Sequence, residues 1–520
     1  MIPEGIGGWL RRRALSSGES AALVFRDREL TYADLAARVE RLASALRARG
    51  VSPGDRVAYL GNNHPTFVES MFATALLGGI FVPLNTRLSV PELGYMLADS
   101  GAATLINASA LEPSAAGAAA ISGGVGRRIV VDDPEEGDPV QVAADTDDYE
   151  RALREAASQD EPWPTVTLDE PALIIYTSGT TGRPKGAVLT HGNLAWNAAN
   201  VIADYDVIGT DRALLISPLF HGASLGMGCL PVLLKGGTVL LEERFVAPQA
   251  LRSIAEQRAT MLSGVPTTFQ LLLDDPGWAA TDISSLRLLT CGGSPIPARV
   301  REAYEARGLA FSCGYGMTEA SPGVTMLPSR FSAQKAGSAG IAHFFSDFRI
   351  RSAAGGGLAA LGDAGEIETR GPNIFREYWG NPTATADAFT DDGWFKTGDI
   401  GFVDADGFLF IADRVKDMII SGGENIYSAE VELAILAIHG VTGVAVIGVP
   451  HERWGEVPHA YITLAENATL DPEELVARLS MTLARYKVPR TLEVIGELPR
   501  TATGKVQKHV LRQRYGAEAG

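Results

Sequence analysis

Cysteine is nearly missing from this chain. Three thiols in 520 residues, Cys229, Cys291 and Cys313, make neither a disulfide framework nor a Cys-x-x-Cys metal knuckle; small buried residues are their ordinary role. Positive charge is also short, with 45 Lys and Arg against 62 Asp and Glu and a formal charge of −17. Such a surface gains nothing by releasing counterions from nucleic acid, which excludes DNA or RNA binding over a broad face but not a small basic pocket. No apolar run reaches the ~20 residues that a bilayer span needs; the stretch Met71 to Leu84 is broken by glycine. Arg11, Arg12 and Arg13 are followed by no apolar segment, so no secretory signal is read. With Trp9 they read as a plain N-terminal helix rather than a lipid contact. The eight histidines show no clustered ligand spacing, and no repeat with a period of roughly 20–50 residues recurs. These absences describe a soluble, cytoplasmic chain, long enough at about 150 residues per domain for several compact units.

Short β-branched or Leu-rich runs alternate with Ala-rich amphipathic ones. Arg56–Leu60, Leu173–Tyr176, Ala213–Ser217 and Leu286–Thr290 read as strands. Tyr32–Arg49 reads as a helix, with Leu35, Val39, Leu42 and Leu46 at helical spacing. Thr31 caps it, with Asp34 three residues on. This alternation predicts an α/β fold, helices packed on mixed, largely parallel sheets. A boundary falls near Asp413-Arg414. The expected domains are 1–412 and a small α+β domain, 413–520, with helices over 429–438 and 471–485 and strands over 444–449 and 459–464. The acidic stretch from Asp132 to Glu161 reads as a solvated connection.

One segment carries chemistry by composition alone. Thr177-Ser-Gly-Thr-Thr-Gly-Arg-Pro-Lys-Gly186 puts three glycines, a set of hydroxyls and a lysine directly after a strand. Glycines let backbone N–H groups converge on an anion, hydroxyls add donors, and Lys185 adds a flexible point charge. The spacing is not that of a Walker loop. A Gly-rich surface turn is the plainer alternative.

This string resembles the signature of the adenylate-forming superfamily: acyl-CoA synthetases, aryl-CoA ligases, luciferases and peptide-synthetase adenylation domains. Further matches follow in order. They are Phe81-Val-Pro-Leu-Asn85, Pro218-Leu-Phe-His221, Gly314-Tyr-Gly-Met-Thr-Glu319, Gly393-Trp-Phe-Lys-Thr-Gly-Asp399, Asp413-Arg-Val-Lys-Asp417, Ser421-Gly-Gly-Glu-Asn-Ile-Tyr427 and Pro499-Arg-Thr-Ala-Thr-Gly-Lys505. The resemblance runs nearly end to end, and motif for motif the C-terminal half looks most like bacterial fatty acyl-CoA synthetases.

The resemblance implies a ligase that joins a carboxylic acid to AMP, releases pyrophosphate, rotates its small mobile C-terminal domain about Asp413 and passes the acyl group to CoA. Thr177, Ser178, Gly179, Thr180, Thr181, Gly182 and Lys185 would hold ATP phosphates. Glu319 would hold Mg²⁺, and Thr318 would face the α-phosphate. Tyr315 and Gly316 would pack on adenine, opposite Gly292, Gly293, Ser294 and Pro295; a core tyrosine is the alternative for Tyr315. Asp399 and Arg414 would bind ribose. Lys505 would neutralise charge during adenylation, and Gly422, Gly423 and Glu424 would line the pantetheine path. His221, Gly222, Gly226, Val265, Gly292, Gly316, Met317 and Gly323 would line the acyl pocket; a merely satisfied histidine is the alternative for His221.

Small residues along His221–Gly228 leave room for a lipophilic acid, fatty, aryl or polycyclic, and the absence of Arg or Lys there disfavours a dicarboxylate. One departure is visible: Gly337-Ser-Ala-Gly340 is followed by Ile341-Ala342, where relatives often carry a basic or aromatic residue and proline. Competing readings are an enzyme that loads a carrier-protein phosphopantetheine arm, a luciferase-like oxygenase, and a member that performs one half-reaction. The expected partners are a small carboxylic acid, ATP and CoA, in a monomer or homodimer.

Overall fold

The structure is a computed structural model that describes residues 5–26, 28–133, 146–157, 162–177, 184–293, 296–352, 357–414, 417–421, 424–466, 468–500 and 506–519. The chain divides into two compact units, Met1–Phe348 with Thr369–Phe395, and Arg349–Glu368 with Lys396–Gly520.

The first unit contains a nine-stranded and an eight-stranded sheet. The middle of each is parallel, with antiparallel strands at both margins of the nine-stranded sheet and at one margin of the eight-stranded sheet. Alternation along the strands explains the layering. Leu23, Phe25, Ala213 and Leu215 point into one apolar cluster, while Val24 and Leu214 point into a second. In the other sheet Val57 and Tyr59 join the first cluster, while Ala58 and Leu60 enter a third. Side chains on successive strand residues face opposite sides, so both sheets are buried on both faces, as parallel sheets are. The shared middle cluster also takes in the helices Tyr32–Ala48, Pro65–Leu76 and His191–Asp204. The mixed, largely parallel α/β expectation is met.

Local chemistry sets the ends of these elements. Thr31 accepts from the Asp34 amide and Asp34 reaches back to Thr31, a capping box worth about 1 kcal/mol. Thr190 and Asn193 do the same for His191–Asp204. The predicted helix Tyr32–Arg49 is found as Tyr32–Ala48. The strand expected at Leu286–Thr290 lies at Leu288–Gly292, shifted toward the glycines that end it. The N-terminal arginines sit on the helix Trp9–Ser17, where Arg13 donates to the carbonyl of Leu234. The acidic stretch is not wholly solvated: Asp133 is buried and ion-paired to Arg26 at 3.0 Å. Residues 134–145 and 158–161 of that stretch lie outside the described residues.

The second unit holds a four-stranded sheet and a five-stranded one. The strands Val441–His451 and Gly455–Leu464 form its longest hairpin, packed with the helix Ser428–Leu436 and the segment Pro472–Thr482 around Ile419, Val446, Ile462 and Leu479. Among the described residues no helix is long and apolar enough to cross a membrane.

Candidate active site

The strands Pro171–Thr177 and Lys185–Thr190 pair antiparallel, and Thr177 and Lys185 are the last pair before the connection. Both residues named at the ends of the phosphate loop thus flank its base. Ser178, Gly179, Thr180, Thr181 and Gly182 lie outside the described residues. Ile174 and Ile175 fix the strand by burying opposite faces, one in each apolar cluster beside it.

Glu319 stands in the 3-10 turn Thr318–Ala320, which follows the strand Phe311–Gly316. The residue is 6% exposed. Oε1 accepts from the Tyr378 hydroxyl at 2.9 Å and, at a long 3.5 Å, from Thr177 Oγ1. Tyr378 lies on the strand Glu377–Tyr378, which pairs with Lys185–Thr190. The Lys185 ammonium sits 5.2 Å from the centre of the Tyr378 ring. Burial first, and then the Glu319 carboxylate, push the Tyr378 phenol above its ordinary value, so it stays a proton donor. A single buried carboxylate beside a phosphate-type loop suits Mg²⁺, which takes one or two carboxylates and fills its other positions with phosphate oxygens and water. Among the described residues no group of three His, Cys, Asp or Glu could hold a metal by itself. The residues fit a Mg²⁺ that arrives with a nucleotide.

The turn that carries Thr318 and Glu319 is made by backbone compression. A Cβ on Gly316 would lie 1.8 Å from the carbonyl oxygen of Pro322. The Met317 amide donates to the same oxygen at 2.9 Å. Ser321 takes a left-handed φ of 66° and anchors its hydroxyl on the Asn373 carbonyl at 2.7 Å. On the adjacent parallel strand Gly292 is in register with Gly314, one residue before Tyr315. Tyr315 is half-buried. Around Gly292 the nearest atom to an added Cβ is 3.7 Å away, and around Gly293 (φ +86°) it is Val265 Cγ1 at 3.6 Å. These glycines leave space beside Tyr315. Ser294 and Pro295 lie outside the described residues.

His221 precedes the helical turn Gly222–Ser224, and its ring meets Phe220 at 4.7 Å between ring centres. The loop before it is held by Asn63. That side chain accepts from the Leu219 amide at 2.7 Å and donates to the carbonyls of Ser217 and Glu242, both at 3.0 Å. The chain then passes through a π-helical turn, Leu225–Cys229, before Leu230–Lys235. Such turns recur at functional sites.

The expected acyl glycines fall into two kinds. Gly222 is open, with only Ile175 Cδ1 at 3.7 Å. Val265 is 38% exposed, while Met227 and Met317 pack on the middle cluster. Gly226 and Gly323 are filled instead: an added Cβ would meet Pro322 Cδ at 2.5 Å in one and His343 Nε2 at 2.7 Å in the other.

A buried polar stripe was not anticipated from the sequence. Asn193, Asn197, Asn200 and Asp204 recur at helical spacing on His191–Asp204. Asn193 donates to the carbonyls of Pro372 and Ile374, Asn200 joins Phe345 and Ser346, and Asp204 meets His343 Nδ1 at 2.6 Å. The three cysteines take no part in chemistry of their own. Burial pushes the Cys313 thiol up to about 11 and the Cys229 thiol up to about 12, far from the thiolate that a nucleophile needs.

The remaining expected residues belong to the second unit. Asp399 is buried and in register with Arg414 on the neighbouring antiparallel strand, and its amide donates to Thr397 Oγ1 at 3.1 Å. Asp413 is buried, and its carboxylate accepts the amide of Ser428 at the start of the helix Ser428–Leu436, a favourable place for negative charge. Glu424 pairs with Ser421 in a short hairpin; Gly422 and Gly423 lie outside the described residues. So does Lys505. The residues on either side of its segment are joined, Arg500 bridging Val506 and the Gln507 amide donating to Pro499. Just beyond, Lys508 pairs with Glu432 at 2.8 Å, whose carboxyl burial holds above its usual range.

Comparisons with known proteins extend over nearly the whole chain. The profile of the AMP-binding enzyme family matches residues 10–379, and that of the AMP-binding enzyme C-terminal domain matches 430–505. The chain is 48% identical over 516 residues to a feruloyl-CoA synthase of Amycolatopsis, covering 99% of this chain and 100% of that one. It is 38% identical over 519 residues to the long-chain-fatty-acid–CoA ligase FadD13 of Mycobacterium tuberculosis, covering 99% of each. Among solved structures it is similar to the O-succinylbenzoate coenzyme A synthetase of Bacillus subtilis in complex with ATP and magnesium ion, with a TM-score of 0.85, 35% identity and 98% of each chain covered.

Proposed function

Since the chain belongs to the AMP-binding enzyme family and is an AMP-forming acid–CoA ligase that uses ATP, Mg²⁺ and CoA, we propose that its acid is an aryl-substituted monocarboxylic acid of the ferulate type. The 48% identity to a feruloyl-CoA synthase over essentially the whole chain, against 38% to a fatty-acid ligase, favours an aryl over an alkyl acid. Open backbone at Gly222 and Gly292 leaves space for a flat ring. No Lys or Arg stands between His221 and Gly228 to pair a second carboxylate.

The observation that carries the mechanism is Glu319, buried at the base of the Thr177–Lys185 hairpin and held by Tyr378. In this reading Thr177, Lys185 and the loop between them take the β- and γ-phosphates. Mg²⁺, when bound, supplies charge neutralisation for those phosphates. Glu319 fixes its position, Thr318 donates near the α-phosphate, and Tyr315 stacks on adenine beside Gly292 and Gly293. A substrate carboxylate oxygen attacks the α-phosphorus, and the bond to the β-phosphate oxygen breaks to release pyrophosphate. Two anions meet in that step, so the protein contributes mainly alignment and charge. Lys505 offsets the developing charge, and Asp399 and Arg414 hold the ribose. Rotation about Asp413 then brings Gly422–Glu424 to the CoA arm. The thiol sulfur bonds to the acyl carbon, AMP leaves and the thiol proton is released. The domain limits 1–412 and 413–520 are proposed as the moving bodies; compactness, which groups 349–368 and 396–412 with the C-terminal part, is a different criterion from motion.

The test is mass spectrometry of reactions with ATP, Mg²⁺ and a mixed panel of acids, with and without CoA and with a holo-carrier protein. Aryl-CoA products outranking alkyl-CoA products support the reading. Preferred alkyl acids overturn the substrate class, and adenylate that becomes thioester only on the carrier overturns CoA as acceptor.

A further inference from the structure

We infer that Asn197 is a positioning residue that sets the width of the acyl pocket, by tying its two glycine-built walls to each other. This rests on the proposed location of that pocket. Asn197 is 1% exposed. Its Nδ2 donates to the carbonyl of Gly226 at 2.9 Å, and its Oδ1 accepts the amide of Gly323 at 3.1 Å. The orientation of the amide is fixed by chemistry, because a carbonyl can only accept and a peptide N–H can only donate. One wall is the π-helical turn Leu225–Cys229, and the other begins the strand Gly323–Leu327 after the Glu319 turn. No backbone hydrogen bond of a helix or sheet ladder is available between a π-turn and a strand start, so a side chain with one donor and one acceptor joins them.

The glycines are what let it in. A Cβ on Gly226 would stand 3.1 Å from Asn197 Nδ2, and one on Gly323 would stand 3.1 Å from its Oδ1. The space that these small residues leave is taken first by Pro322 and the Ser321 carbonyl at Gly226 and by the His343 ring at Gly323, with the Asn197 amide next in each case. Gly323 is also held from its other side, since Asn373 Nδ2 donates to its carbonyl at 2.6 Å and to that of Ala320 at 2.8 Å. Asn373 thereby joins the same wall to the turn that carries Glu319. Asn197 is the member of the polar stripe that reaches both walls. Asn200, one turn on, binds the Phe345 amide and the Ser346 hydroxyl instead.

The experiment compares wild type with Asn197→Ala, Asn197→Asp, Asn200→Ala and Val265→Phe. It records kcat/KM over a series of acids of graded bulk, KM for ATP, and thermal midpoint. Without the tie the walls relax, so Asn197→Ala shifts the ratio of bulky to slim acids at least tenfold toward the bulky ones, with KM for ATP within twofold. Asn197→Asp, which sets a carboxylate oxygen against the Gly226 carbonyl, shifts the same ratio and keeps the proposal testable should the alanine variant fold poorly. Asn200→Ala lowers the midpoint and leaves the ranking of acids alone. Unchanged ranking in both Asn197 variants while Val265→Phe alters it overturns the role of Asn197 and keeps the pocket. Unchanged ranking in all of them overturns the pocket location as well. Equal shifts in the Asn197 and Asn200 variants reduce Asn197 to a structural residue and overturn the proposal.

Discussion

The phenol of Tyr378 donates to Glu319 Oε1 across 2.9 Å, from a strand that pairs with the one beginning at Lys185. The carboxylate proposed to hold Mg²⁺ and the lysine proposed to hold phosphate are thus indexed to one aromatic side chain. Hydrogen bonds to charged groups are worth about 1.5–3 kcal/mol. Tyr378→Phe should therefore slow ATP–pyrophosphate exchange by roughly ten- to a hundredfold and move the Mg²⁺ dependence to higher concentration. Transfer of a supplied acyl-adenylate to CoA should be untouched. An unaltered Mg²⁺ curve would show that Tyr378 does not position Glu319.

Gly316→Ala is expected to be far worse than its size suggests. The new methyl would sit 1.8 Å from a backbone oxygen that cannot swing away. Overpacking costs about 1–3 kcal/mol and sometimes more, so the thermal midpoint should fall by several degrees and adenylation should be lost. Gly222→Ala, with nothing nearer than 3.7 Å, should melt with wild type and change only the preference among acids. Equal midpoints for the two variants would refute the compression.

Lys505→Ala should separate the half-reactions. Adenylate formation should drop by two orders of magnitude or more, about 3 kcal/mol of lost charge stabilisation, while thioester formation from a supplied adenylate continues. Equal loss of both steps would remove Lys505 from the role assigned to it.

Acid stability should be governed in part by His191. Its Nδ1 accepts the Ile6 amide at 3.2 Å, which only a neutral ring nitrogen can do. Burial lowers its pKa to about 4, and the same cause brings His64 to about 4. Unfolded, both rings would protonate near about 6.5. Between those values the unfolded chain binds more protons than the folded one. Stability is then flat above about 6.5 and falls as pH drops toward about 4. Thermal midpoints measured across that window should decline less steeply in His191→Gln than in wild type. Parallel slopes would show that His191 is not among the groups responsible.

The sequence revealed contiguous chemistry well. The loop from Thr177 to Lys185, the Thr318-Glu319 pair and the Thr31 capping box are each written within a few residues, and the apolar run Arg56–Leu60 is a local pattern. Partners made by the fold were not legible. Tyr378 reaches Glu319 across 59 residues, and Asn63 reaches Leu219 across 156; nothing local marks either one. The stripe Asn193, Asn197, Asn200, Asp204 did carry a signal, polar residues at helical spacing beside buried Leu194, Ala198 and Val201, and it reads as a solvated face until the helix is found between two sheets. Glycines were legible as small, but not for the side on which the missing Cβ matters. Asp133 looked solvated because its partner, Arg26, is more than a hundred residues away.

The two kinds of glycine at the proposed acyl site also set the routes by which this scaffold can evolve. Substitutions that narrow or reshape the cavity are available at Gly222 and Val265, where there is room to add atoms. At Gly226, Gly316 and Gly323 every residue with a Cβ collides with backbone or a buried side chain, so drift there costs stability before it can change selectivity. If the acid binds where we propose, new substrates should be gained along one flank of that pocket, while the flank joined by Asn197 stays as it is, and a library meant to change the acid can be small if it leaves those three positions alone.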